Sequence, residues 1–226
     1  MSRFLSTILA IVLISCTNKQ SVNPRQDIIH DTKIISLSLS DSLGKVYLTL
    51  PNRYDTSVKW VHFGDCGRPC NYQKYMYQPK AVPLPLQLEN GMYWRDSSEV
   101  IDRFTIEHRQ QQVNEYNGNP KHLLQWTKAL GQEDALAVRV NDSIQLRIVF
   151  DTLQTIDDRP FAMVAYEGYN MKTKQYRCFL LGQTTLGQDY LRFAFHRKNK
   201  QSQDTSQKFL EQSKRMLEQI RIESGI

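Results

Sequence analysis

An α+β fold, an antiparallel β-sheet meander packed against two helices, is what this 226-residue sequence predicts. Three observations lead to it. Between residues 144 and 196, apolar residues recur in runs separated only by short turns, the pattern of consecutive antiparallel strands. In mid-chain, Asn119-Pro120 opens a helical pattern. Near the end, Phe209, Ser213, Met216, Leu217 and Ile220 share one face of a second helix. A sheet with an apolar face needs a cover, and the helices supply it.

The first strand spans Lys33–Leu39, where Ile35, Leu37 and Leu39 alternate with Ser36 and Ser38. After turn residues at 40–44, Val46, Leu48 and Leu50 alternate in a second strand that stops at Pro51. Val58–Phe63 and Tyr72–Tyr77 supply a third and a fourth. Gln78–Gly91 contains Pro79, Pro83 and Pro85; proline lacks the ladder donor, so this stretch is a loop or an extended edge. Val100–His108 is the next strand.

Asn119 then caps the first helix, and Pro120 takes the first helical position, where no amide donor is needed. Leu123, Leu124, Trp126, Ala129 and Leu130 give it apolar surface, and Gly131 is read as its stop. The meander follows: a strand carrying Ile144, Leu146, Ile148 and Phe150, then Phe161–Tyr166, Gln175–Thr185 and Tyr190–His196. Asp157-Asp158-Arg159-Pro160 is turn chemistry, and Phe161–Tyr166, apolar on both sides, belongs inside the sheet. The last helix runs from Thr205 to Gln219 with Asp204 as N-cap, and Ile220-Arg221-Ile222 is a short closing strand.

The front of the chain reads differently. Arg3 precedes Phe4–Ile14, a mostly apolar run of 11 residues. A bilayer span needs about 20 residues, so the run has the length of a signal-peptide core. Leu13-Ile14-Ser15-Cys16 closes it and resembles the bacterial lipobox, which implies a signal peptide over 1–15 and a palmitate-type acyl modification at Cys16. Residues 16–32 are then a polar, lipid-anchored tether, and 33–226 a single domain. Thr17, where a sorting signal would place Asp, implies by the same resemblance the outer membrane, with the protein facing the periplasm. Each buried methylene contributes about 0.8 kcal/mol; one acyl chain holds marginally and several hold firmly.

The chain has 29 basic and 23 acidic residues; without Arg3 the balance is +5. That charge favours acidic partners in general. Nucleic acid is not expected outside the cytoplasm, and the basic residues are dispersed. Their densest run, Arg197-Lys198-Asn199-Lys200, is assigned to a turn.

Gly44-Lys45-Val46-Tyr47-Leu48-Thr49-Leu50-Pro51 and the closing pattern resemble the Mog1/PsbP-like domains. The closing pattern is Tyr190-Leu191-Arg192-Phe193-Ala194-Phe195, a helix with Phe209 and Leu210, then Ile220-Arg221-Ile222. The resemblance covers 44–51 and about 160–222, and extends to the lipid-anchored DcrB-like lipoproteins. It implies an α/β sandwich, a binding or assembly role and no catalytic residue set.

Asp65-Cys66-Gly67-Arg68-Pro69-Cys70 is the sharpest chemical motif. In an oxidising periplasm cysteines this close commonly pair, and the Gly67 and Pro69 turn favours it. A Cys66–Cys70 disulfide is the reading adopted. Two others stay open: a bridge from Cys178 to one of the pair, and a thiol-redox or copper-handling site using Cys66 and Cys70 with His62 or His196. No zinc, nucleophile-elbow or phosphate-loop pattern occurs, so no metal, cofactor or catalytic residue is assigned. Asp157-Asp158 could be paired carboxylates but reads first as a turn. Tyr75, Tyr77, Tyr93 and Trp94 flank the proline loop with Lys74, Lys80 and Arg95 among them, and form the candidate face for a protein partner or envelope component. The function expected is therefore that of a non-enzymatic envelope lipoprotein.

Overall fold

The computed structural model describes residues 31–40, 43–65, 67, 71–88, 93–95, 98–109, 119–142, 144–187, 189–200 and 202–225, of which 87, 88, 93–95 and 136–142 are described by their backbone. The expected signal peptide, Cys16, nearly all of the expected tether, Cys66 and Cys70 lie outside the described residues.

In chain order the elements are β1 (Thr32–Ser38), β2 (Gly44–Pro51), β3 (Thr56–His62), β4 (Tyr72–Gln78), β5 (Leu86–Leu88), β6 (Tyr93–Arg95) and β7 (Ile101–Arg109). Then come α1 (Pro120–Asp142), β8 (Arg147–Ile156), β9 (Arg159–Asn170), β10 (Gln175–Leu186), β11 (Asp189–Asn199), α2 (Gln203–Glu218) and β12 (Arg221–Ser224). The principal sheet has seven strands in the order β3-β4-β7-β11-β10-β9-β8, and each neighbouring pair is antiparallel. The α+β class and the meander are thus as expected. The turn Asp157-Asp158 joins β8 to β9 with φ of 49° and 58°, the two-residue hairpin geometry that Asp tolerates better than bulkier residues.

The sequence reading put the strands in one sheet. Instead β1, β2 and β12 form a separate three-stranded sheet, order β1-β2-β12, and among the described residues β5 pairs only with β6. The small sheet brings Leu37, Val46, Leu48, Leu50 and Ile222 to the same core as Phe104, Phe161, Phe193 and Phe195 of the principal sheet. From α2, Phe209, Leu210, Met216 and Leu217 fill the rest of that core. The two helices do not share a face. Because side chains alternate along β9, Met163 and Ala165 join the α2 core, while Val164 and Tyr166 turn to the other side and meet Leu124 and Ala135 of α1.

Several local readings change. Gly131 does not stop α1, which continues to Asp142; its role is packing, since a Cβ there would lie 2.6 Å from the Tyr166 ring and hydroxyl. Ser202, not Asp204, caps α2 by accepting from the Thr205 amide, and Asp204 pairs with Lys208 within the first turns. Arg197, Lys198 and Asn199 are the last residues of β11, not a turn; Arg197 lies over the Phe209 ring at 5.3 Å and near Asp102.

Candidate functional site

The residues singled out from the sequence are not gathered in one place. On β4, alternation sends Tyr75 and Tyr77 toward the α2 side. Tyr77 is buried and its ring stacks on Phe104 at 6.2 Å, so it serves the core. Tyr75 is half-buried; its hydroxyl donates to the Ser38 carbonyl (2.9 Å) and the Lys59 ammonium lies over its ring. Tyr93 and Trp94 belong to β6, where Trp94 pairs with Gln87 and Tyr93 with Leu88. The four aromatics therefore divide between the core side of the main sheet and a separate ribbon.

Cys178 is a free, buried thiol, so the bridge from it to Cys66 or Cys70 does not form. Its sulfur lies 3.9 Å from the Ser206 carbonyl, and burial pushes the thiol up to about 12. His196 neighbours Cys178 in sequence register but not in space: Cys178 pairs with Arg197, so alternation puts His196 on the opposite face. His62 is at the far end of β3, three strands away from β11. Among the described residues, no group of three His, Cys, Asp or Glu side chains is arranged to hold a metal ion. Asp157 is an anchor for the last strand, since its carboxylate accepts the Ile222 amide at 2.6 Å.

A cluster that sequence reasoning missed lies on the α1 side of the sheet. Strand register sets Lys74, Glu107, Arg192 and Gln183 in one row across β4, β7, β11 and β10. Lys74 Nζ is 2.8 Å from Glu107, and Arg109 and Arg192 each approach the second Glu107 oxygen at 3.8 Å. Arg192 continues to Asp134 on α1, while Thr127 of α1 donates to Gln183 at 2.8 Å. Trp126 meets Tyr190 edge-on, with ring centroids 4.8 Å apart. Its members come from five separate elements, and a dispersed set of charges carries no motif; the only linear hint was charge inside otherwise apolar strands.

The electrostatics limit what this cluster can do. Burial acts to raise the Glu107 carboxyl, but the Lys74, Arg192 and Arg109 cations outweigh it and hold the group at about 2. Burial lowers the Lys74 ammonium against the pull of Glu107. A carboxylate this acidic is a poor general base near neutral pH, where efficient proton transfer favours a matched group. The geometry is that of a brace fastening α1 to the sheet.

The proline segment offers a different surface. Val82 is buried, its amide closes a turn on the Pro79 carbonyl at 2.9 Å, and its carbonyl accepts from Gln78 at 2.5 Å. With that end fixed, Leu84 and Leu86 project outward, 52% and 60% exposed.

No family model matches the chain, and no curated protein matches it in sequence. Two solved structures are similar to it over most of its length. The cyanobacterial PsbP protein CyanoP from Synechocystis is 8% identical over 84% of this chain and 92% of its own, with a TM-score of 0.44. LpqN, described as involved in cell envelope biogenesis of Mycobacterium tuberculosis, is 7% identical over 84% of this chain and 91% of its own, with a TM-score of 0.36. The α+β architecture stands on this chain's own strand order and register.

Proposed function

We propose that this chain is a non-enzymatic cell-envelope lipoprotein, anchored through an acylated Cys16 to the outer membrane and facing the periplasm. Its domain contacts a protein partner or an envelope component through the proline segment and the β5–β6 ribbon, which carries Tyr93 and Trp94. The observation that supports this reading is the pair Leu84 and Leu86, both more than half exposed on a segment stiffened by Pro83 and Pro85. Proline's fixed φ lowers the entropy lost when such a surface is covered. A Cys66–Cys70 disulfide at the β3–β4 tip is part of the same proposal. No helix among the described residues is long and apolar enough to cross a membrane.

Two measurements test the reading. Intact mass of the mature chain should show acyl chains on Cys16, and Cys16→Ala should leave the membrane fraction. A photocrosslinking residue at Leu86 should capture envelope components that the same probe at Lys208, on the exposed side of α2, does not. An unmodified N-terminus with unchanged fractionation refutes the anchor, and equal capture at both positions refutes the contact segment.

A further inference from the structure

Exposed apolar side chains concentrate at one end of the principal sheet. Tyr176 pairs with both Tyr169 and Asn199, and Lys198 pairs with Ile101. The β9–β10 turn, the exit of β11 and the entrance of β7 therefore lie at one level. β4 leaves the sheet there too, because Tyr77 pairs with Phe104 and the turn at Pro79–Val82 follows directly. Met171 in the β9–β10 turn is 68% exposed, Val100 at the entrance of β7 is 45% exposed, and Tyr169 lies beside Tyr176 with ring centroids 4.5 Å apart. Leu84 and Leu86 lie in the segment that starts and finishes at this end. Val61 and Phe63, on β3 and the loop after it, are exposed at the opposite end of the sheet, the end that also carries the turns at Asp157-Asp158 and Gly187.

Charge has the same polarity. Lys80, Lys172, Lys174 and Lys200 are all exposed around these apolar residues. Among the described residues, Glu99 pairs with Lys200 (3.2 Å), Glu167 with Arg147 (2.5 Å) and Asp102 with the Tyr54 hydroxyl (2.7 Å), while Asp55 accepts from the Lys80 amide (2.6 Å) and keeps its charge. The chain also enters the domain here. Asp31 accepts from the Asn52 backbone (2.9 Å) and side chain (2.7 Å), and Lys33 donates to the Tyr54 carbonyl (2.7 Å).

We propose that this end of the domain rests on a bilayer surface, with Leu84, Leu86, Val100 and Met171 in the headgroup boundary and Lys80, Lys172 and Lys174 on anionic headgroups. The inference rests on the lipoprotein reading for its setting and names the lipid surface as the envelope component contacted. Apolar side chains with a basic rim suit a surface that is apolar below and anionic above. A tether entering at the same end holds that surface close to the membrane, so weak contacts suffice through effective concentration.

The test uses residues 17–226, the mature chain of this reading with an N-terminal hexahistidine in place of Cys16, held on vesicles by a nickel-chelating lipid, so that it does not depend on acylation of Cys16. The vesicles are phosphatidylethanolamine and phosphatidylglycerol, with a photoactivatable phospholipid, and labelled peptides are mapped by mass spectrometry. Label should fall in 79–88 and 169–176. Each lysine near an anionic surface is worth roughly fivefold in affinity, so Lys172→Glu with Lys174→Glu should cut that label by at least about fivefold, as should omission of phosphatidylglycerol. Leu86→Asp with Met171→Asp should do the same while near-ultraviolet circular dichroism stays unchanged. Label centred on Phe63 or the Gly187 turn, or spread evenly over the domain, overturns the inference. An unacylated Cys16 in cells counts against the lipoprotein reading alone.

Discussion

Gly131 of α1 lies against Tyr166 of β9, so closely that a Cβ at 131 would come 2.6 Å from the tyrosine ring and its hydroxyl. Tyr166 has little room to yield, because its ring stacks on Phe179 at 4.6 Å and its hydroxyl donates to the Lys128 carbonyl at 3.3 Å. Glycine is kept in the helix interior for close approach, against a propensity cost of about 1 kcal/mol.

Gly131→Ala should therefore destabilise the protein, because overpacking of about 1–3 kcal/mol exceeds that propensity gain. In a Tyr166→Leu background the same change should become neutral or stabilising. Urea midpoints of the four chains in this cycle check it; a stabilised single variant would mean that the ring moves freely.

Lys74 and Glu107 are both buried and only 2.8 Å apart. Glu107→Gln leaves the Lys74 ammonium without its carboxylate and should cost about 3–5 kcal/mol, whereas Lys74→Met with Glu107→Leu should cost far less than either single change. Equal, additive losses in chemical denaturation would remove the coupling.

Acid should weaken the fold in two windows. Arg177 Nε donates to His196 Nε2 at 2.8 Å, which places the ring proton on Nδ1. Burial, then Arg177, Arg103 and Lys198, hold this histidine well below 6.5. The unfolded ring takes up a proton first, so stability present above 6.5 is lost as pH falls below it, at up to about 1.4 kcal/mol per pH unit. Glu107 gives a second loss between 4.5 and about 2, where the unfolded carboxylate is protonated before the folded one. His196→Gln keeps an acceptor for Arg177 and should flatten the profile between pH 6.5 and 5; an unchanged slope in urea titrations would reassign that window.

Cys178 should be silent in the native protein. With its thiol buried and pushed up to about 12, thiolate is scarce at pH 8 and the sulfur is covered by α2. Iodoacetamide should label it only after unfolding, by peptide mass. Native labelling would show that α2 lifts from the sheet.

Local chemistry made much of the fold legible. Alternation in β1 and β2, the Asn119-Pro120 opening of α1 and the turn at Asp157-Asp158 each depend on residues within a few positions, and each stands as read. The site was less legible. Tyr75 and Tyr77 share aromatic character with Tyr93 and Trp94, yet one pleat sends the first two toward the α2 core, and no linear pattern announces that.

The sequence by itself determined the longer strands, the two helices and the α+β class, because these follow from periodicity and from the backbone preferences of proline, aspartate and asparagine; the β5–β6 ribbon, the end of α1 and the cap of α2 did not follow from it. Only the tertiary structure decided that the helices take opposite faces and that β1, β2 and β12 form a sheet of their own. It also decided that Lys74, Glu107 and Arg192 align in one row. Those outcomes depend on which distant strands become neighbours and in what register, and a shift of one residue would have turned every one of those side chains to the other face.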